Sequence, residues 1–402
     1  MLRKPLLVLE RFADPSRRCD AARGDFVSGD VERIDLPNLR RAPLGFVRAL
    51  PGALYDWVTL PVSLRERASL ALAAACTGGA RLGALVLAAR LLRRAQAGDV
   101  SAIACYSAKD FPLAQLLARA TGSPCCELLA HGTRYFGEFA FELLAVIPYA
   151  YWLHQQGRLQ FTESTPDTRC LYWFSPEHRE LRRNRSYVPI TEYPVGVPGW
   201  LRYDRNAFPE FLDRSRWLPP PYRDVYRDNR FRFARPMCVV CNKATSEYYK
   251  WHRSMTNHLP SDLLLDLVGR LRTRYQVVYN RPRAADMVND HQAVRELGDI
   301  EAVKQAYPDI CTIQELHARH PELGYNELQL RLYANCDRFV SVLGGSSYLA
   351  SWFGGVNVIF AKRGWEVACG AYQRWFHRFS GARVVATTSH EELRAAVERE
   401  LL

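Results

Sequence analysis

Lysine is scarce in this chain: six of its 54 basic residues are lysine and the rest are arginine. A formal net charge of +12 invites a nucleic-acid partner, yet the arginines are spread along the chain with no long block and no recognisable RNA or DNA module. An anionic membrane face or a phosphorylated substrate suits a basic surface as well, and nucleic acid ranks last of the three. No apolar run approaches the roughly 18 to 20 residues of a membrane span. Behind Met1-Leu2-Arg3-Lys4-Pro5 only Leu6 to Leu9 is apolar before Glu10 intervenes. That reads as a first β-strand, not a signal peptide, and a cytoplasmic location is expected. Cys238 and Cys241 form a C-x-x-C, but inside a strand-like run that turns neighbouring side chains to opposite faces. No second pair or histidine pair completes a zinc site, so the eleven cysteines read as reduced, mostly buried thiols.

The composition is globular, with 48% hydrophobic and 24% charged residues, and 402 residues exceed one ordinary core. In the first half, Leu6 to Leu9, Ser101 to Tyr106 and Cys125 to Leu129 read as strands. Ala68 to Ala95 and Phe111 to Ala120 read as helices. From Met237 the alternation resumes. Met237 to Cys241, Tyr275 to Tyr279 and Arg383 to Ala386 are the strands. Asp262 to Thr273 (with Ser261 as cap), Glu327 to Ala334 and Glu391 to Leu401 are the helices, the last entered by capping-box spacing from Ser389 to Glu392. Between about 155 and 235 the chain is rich in Pro, Arg, Tyr and Trp with weak periodicity, and long surface loops are expected there. The expected architecture is α/β, with two Rossmann-like β/α/β domains facing a cleft. The first is residues 1–205, irregular from about 155. A linker (206–236) leads to the second, 237–402, whose last helix could pack back on the first.

The stretch from Asn335 to Phe360 is the most informative. Phe339 to Leu343 is an apolar strand that ends at Gly344-Gly345, and Ser346 or Ser347 is placed to cap a short helix. Gly354-Gly355 stops that helix and Val356 to Phe360 is a second buried-type strand. Such a turn presents free backbone N–H groups, which suits a phosphate, although an ordinary tight β–α turn needs glycines too. Asn242-Lys243 and Asn280-Arg281-Pro282-Arg283 each follow a strand, at the carboxyl ends where open α/β sheets bind ligands. Lys243 and Arg281 are therefore candidate phosphate partners, with a solvated loop charge as the bland alternative. Glu366 follows the strand ending at Phe360 and could accept from a ribose or sugar hydroxyl, or simply begin a helix.

Glu327 to Phe360, with its helix, strand, Gly-Gly-Ser-Ser turn, helix and strand, resembles the late segment of the nucleotide-sugar domain of GT-B glycosyltransferases. The layout is similar to heptosyltransferases, and the Gly/Ser turn to α1,6-fucosyltransferase-like enzymes. The chain as a whole resembles bacterial proteins of O-antigen, capsule and related surface-polysaccharide loci. The resemblance covers roughly residues 237 to 366, and the first half by topology alone. Two departures stand out: Val356-Asn357 follows Gly355 where the pattern has a proline, and no clear E-x7-E pair is present, which leans towards inversion.

The resemblance implies a glycosyltransferase of cell-surface polysaccharide biosynthesis. The donor would be a nucleotide-sugar as co-substrate, with no cofactor besides, and the acceptor a glycan or lipid-linked glycan. Gly344, Gly345, Ser346 and Ser347 would then hold the donor pyrophosphate, with Lys243, Arg281 and Glu366 around it. His131, Glu138 and, in reserve, Asp110 are candidates for the base that an inverting transfer needs. A lone histidine at a strand end is more often structural. No Asp-x-Asp stands at a strand end in a suitable context, so metal dependence is not expected. The apolar stretch Leu82 to Arg94, with arginines near its end, could touch the inner face of the membrane, but packing on a sheet explains it better. Tyr149 to His154 could stack on sugars, but its apolar neighbours favour core. Two other readings are a hydrolysing nucleotide-sugar epimerase, for which the first half offers few carboxylates and histidines, and a non-catalytic glycan- or membrane-binding scaffold.

Overall fold

A computed structural model describes residues 131–180, 185, 214–243, 257–283, 286, 294–368 and 370–402, and four strands before them. The chain divides into two compact units, Met1–Arg134 and Tyr135–Leu402. The division lies well before the expected linker at 206–236.

In the first unit, β1 (Leu6–Arg11), β2 (Val31–Leu36), β3 (Ala102–Cys105) and β4 (Cys125–Glu127) form a parallel sheet in the order β2-β1-β3-β4. β5 (Gly132–Arg134) follows. The strand β2 escaped sequence reading because Val31-Glu32-Arg33-Ile34-Asp35-Leu36 is half charged. The expected helices over 68–95 and 111–120, and Asp110, lie outside the described residues.

The second unit opens with a helix built of Phe139–Phe141, a π turn over Glu142–Val146, and Ile147–Gln155. β6 (Phe161–Ser164) pairs parallel with β7 (His178–Glu180). The region expected as surface loops is therefore partly core. Its Tyr222 is fully buried, with its ring 5.0 Å from Trp352 and 6.3 Å from Phe353, and its hydroxyl donates to the Leu171 carbonyl at 2.7 Å. Of the stretch Tyr149 to His154, Tyr149, Ala150 and Leu153 are buried in the core, while Tyr151, Trp152 and His154 are half-buried. A polar rim on a large apolar body makes tyrosine burial favourable once the hydroxyl finds a carbonyl.

The main sheet has six parallel strands, β8 (Met237–Cys241), β9 (Gln276–Asn280), β10 (Cys311–Thr312), β11 (Arg338–Val342), β12 (Val356–Phe360) and β13 (Arg383–Thr387), in the order β10-β9-β8-β11-β12-β13. Central strands covered on both faces read as continuous apolar runs, and every residue of β8 is buried. The helix Ser261–Leu271 buries Leu263, Leu264, Leu267, Val268 and Leu271 at helical spacing. Ser261 is its first residue and not its cap, for the chain enters through Pro260. The helices Asp299–Ala306 and Ile313–Arg319 were not read from the sequence. The last helix, His390–Leu401, places Leu393, Ala396, Val397 and Leu401 in the core of this same sheet. Half of its capping box forms: Ser389 accepts the Glu392 N–H at 3.1 Å, while the Glu392 carboxylate accepts the N–H and hydroxyl of Thr388.

Candidate functional site

After β8 the chain builds β9 and β10 to one side, then returns to lay β11, β12 and β13 on the other. The connections leaving β8 and β11 run in opposite directions and open a crevice at the carboxyl edge, the usual ligand position in such sheets. The segments there are Asn242-Lys243 and Leu343-Gly344-Gly345.

Three connections meet at this edge. Asn242, 1% exposed, accepts the N–H groups of Lys243 and Leu259 at 3.0 and 2.9 Å, and its amide donates to the Leu259 carbonyl at 3.0 Å. This fixes where Lys243 leaves the sheet. A Cβ on Gly344 would lie 2.6 Å from Lys243 Nζ, so the ammonium group rests against the glycine turn. The connection after β12 joins them: Asn257 donates to the Arg363 carbonyl at 2.7 Å and accepts the Arg363 N–H at 3.2 Å. A Cβ on Gly364 would overlap Leu343.

Gly344 has φ 115° and ψ −160°, and Gly345 starts the helix Gly345–Ser351. Gly344 is thus the cap, with no serine hydroxyl in that role. The Ser346 hydroxyl donates to the Val342 carbonyl at 3.0 Å, and that of Ser347, fully buried, to the Gly344 carbonyl at 2.8 Å. Both hydroxyl protons are thereby engaged. The groups this turn can offer an anion are the Lys243 ammonium and the amides of Gly345 and Ser346, since the Ser347 amide already donates to the Gly344 carbonyl at 3.0 Å.

Glu366 stands beside the same turn. It is buried, accepts from the Tyr348 hydroxyl at 3.3 Å, and lies 3.1 Å from where a Gly364 Cβ would be. Arg281 does not join this group. It is fully buried, its Nε donates to Asp299 at 3.1 Å, and its remaining nitrogens reach the carbonyls of Pro282 and Arg295. Tyr279 donates to the same Asp299 oxygen at 2.6 Å. A carboxylate 18 residues downstream claims the guanidinium, which sequence spacing could not reveal.

Half-buried His131 belongs to the first unit and half-buried Glu138 to the second. Glu138 precedes Phe139, whose ring covers the turn: a Cβ on Gly345 would lie 2.8 Å from Phe139 Cδ1. The residues that sequence reading missed are Phe139, Glu142 and Arg185. The Glu142 carboxylate, fully buried at the π turn, accepts from the hydroxyls of Ser164 and Tyr172 and pairs with Arg185 at 2.7 Å.

Burial pushes the Cys241 and Cys336 thiols up to about 12, in keeping with inert core thiols. Among the described residues no group of three or more His, Cys, Asp or Glu is placed to hold a metal ion, and no helix is long and apolar enough to cross a membrane.

No family model matches the chain, and no curated protein does. Among solved structures it is similar to the ADP-heptose LPS heptosyltransferase II of E. coli, at 15% identity and a TM-score of 0.30, over 78% of this chain and 94% of the other. It is also similar to a glycosyl transferase of family 9 from Veillonella parvula, at 10% identity and 0.31, over 72% and 84%. At such values the likeness does not establish a shared fold.

Proposed function

We propose that the crevice between β8 and β11 binds the pyrophosphate of a nucleotide-sugar, and that the protein is a glycosyltransferase. The single observation that carries the phosphate site is Lys243 Nζ resting against Gly344 at the point where the strand order reverses. A cation beside the first amides of a helix complements a phosphate. Sugar transfer is supported by the helix–strand–turn–helix–strand layout of residues 327–360, which the fold realises as Tyr325–Ala334, β11, Gly345–Ser351 and β12.

In this reading Lys243 and the turn amides stabilise the charge that builds on the leaving nucleotide, a task they perform without rearranging. Glu366 reads a hydroxyl of the donor. The acceptor is a growing surface glycan or its lipid-linked form at the cytoplasmic face of the membrane. His131, Glu138 and Asp110 remain the candidates for the base that deprotonates the acceptor hydroxyl in an inverting transfer.

The test is a panel of sugar nucleotides scored for nucleotide release, alongside thermal stabilisation by the corresponding nucleoside diphosphates. One diphosphate should raise the melting temperature of the wild type and not that of K243A. Melting temperatures unmoved by every common nucleotide would overturn the reading and favour the scaffold. Release of a free sugar that is the ring-carbon epimer of the donor's sugar would favour the epimerase.

A further inference from the structure

We infer that Arg185 is a positioning residue for the phosphate site, acting through Phe139 on the Gly344-Gly345 turn. This inference rests on the phosphate reading of that turn.

Four observations bring Arg185 to this role. Its side chain is buried, 6% exposed, and pairs through one terminal nitrogen with the fully buried Glu142 carboxylate at 2.7 Å. The other terminal nitrogen donates to the Gly137 carbonyl at 2.9 Å. Its guanidinium lies 5.0 Å from the centre of the Phe139 ring. Phe139 in turn touches Gly345, close enough that no side chain fits between them. One planar group therefore grips the segment 137–142 at three points, and that segment forms one wall of the turn.

The helix adds a reason for such a grip. Glu142–Val146 is wound as a π turn, a rare local geometry that is frequent at functional sites. A buried ion pair on its own contributes little to stability compared with apolar residues of the same size. What it provides here is a fixed place for Phe139, and with it a fixed conformation of Gly345. A turn held in its binding conformation before the ligand arrives loses less entropy on binding. Lysine could keep the charge at 185 but has no planar fork with which to hold Gly137, Glu142 and the ring together.

Binding of inorganic pyrophosphate by calorimetry, read beside melting temperature, tests this in the full chain. Three variants are needed: K243A, R185K, and the double variant Arg185→Met with Glu142→Gln. The double variant removes the buried charge pair while leaving an acceptor for Ser164 and Tyr172, which keeps a folded protein available. The expected result is that wild type binds, K243A binds roughly 10- to 100-fold more weakly, and R185K and the double variant each bind about tenfold more weakly or worse. The loss should persist in the double variant even where its melting temperature equals the wild type's. If wild type and K243A bind alike, or neither binds, the phosphate reading falls and this inference with it. If K243A binds that much more weakly while the double variant binds like wild type, the phosphate reading stands and Arg185 is merely structural.

Discussion

Lys243 Nζ lies 2.6 Å from the point that a Cβ on Gly344 would occupy, so residue 344 has to be glycine for the lysine to rest where it does. Its φ of 115° is a second, independent requirement. Gly344→Ala should cost about 1–3 kcal/mol of stability from backbone strain. It should also displace the ammonium group and abolish stabilisation by a nucleoside diphosphate. Chemical denaturation and ligand-dependent melting separate the two effects, and an alanine variant that still responds to ligand would contradict this geometry.

Lys243→Ala should leave the fold intact, since the residue is only half-buried at a sheet edge. One charge-assisted contact is worth about 1.5–3 kcal/mol, so pyrophosphate affinity should fall by roughly 10- to 100-fold. The wild-type affinity should weaken with added salt more steeply than that of the variant, because screening acts on the charge that was removed. Titrations at low and high ionic strength check both points.

Arg281 leads to the opposite expectation. Removing it would leave Asp299, 1% exposed, without its ion-pair partner. Arg281→Met should destabilise the protein by about 3–5 kcal/mol. The fraction that remains folded should keep its pyrophosphate affinity, because the guanidinium faces Asp299 and not the turn. Unchanged stability with lost affinity would return Arg281 to the site.

Asp167 provides a pH test. It sits at φ 62°, accepts the Asn326 N–H at 2.9 Å, and so caps the helix Tyr325–Ala334 from another part of the chain. Burial raises its carboxyl to about 6, with the neighbouring Glu180 adding to the rise. A folded value above the unfolded one means that the folded state holds the proton more tightly. The ionised form therefore costs stability above pH 6, on the order of 2 kcal/mol after allowing for partial exposure, and that cost fades as pH falls towards 4. Asn keeps an acceptor for the amide, tolerates positive φ and carries no charge. Asp167→Asn should then be more stable than wild type at pH 8 and equal to it near pH 4. Melting curves across that range give the result, and a difference that does not change with pH would refute it.

Much of the second sheet could be read directly from the sequence. Met237 to Cys241 and Val356 to Phe360 are runs that only a doubly covered strand explains, and both are strands over those residues. Gly354 and Gly355 end their helix with φ of 71° and 67°, and a Cβ on Gly355 would overlap the Asp337 carbonyl, so glycine is obligatory there. Short or charged elements were lost: the two-residue β10 is too short to show a period, and half of β2 is charged. The serines of the turn were half understood. They lie in the first turn of the helix and not at its cap, and their hydroxyls turn inward to backbone carbonyls, a local choice that spacing cannot settle.

The sequence by itself determined the α/β alternation after Met237, the glycine turn and the lysine at the end of a strand. Each of these depends on a residue's own backbone freedom, volume or charge, which the letter specifies. Strand order is a matter of which elements pack side by side, and it was the tertiary structure that put β8 next to β11 and so Lys243 beside Gly344. The same holds for the pairs. Arg281 and Lys243 look equivalent in sequence, yet Arg281 pairs with buried Asp299 while Lys243 Nζ rests against Gly344, because which groups a charge meets is decided in space.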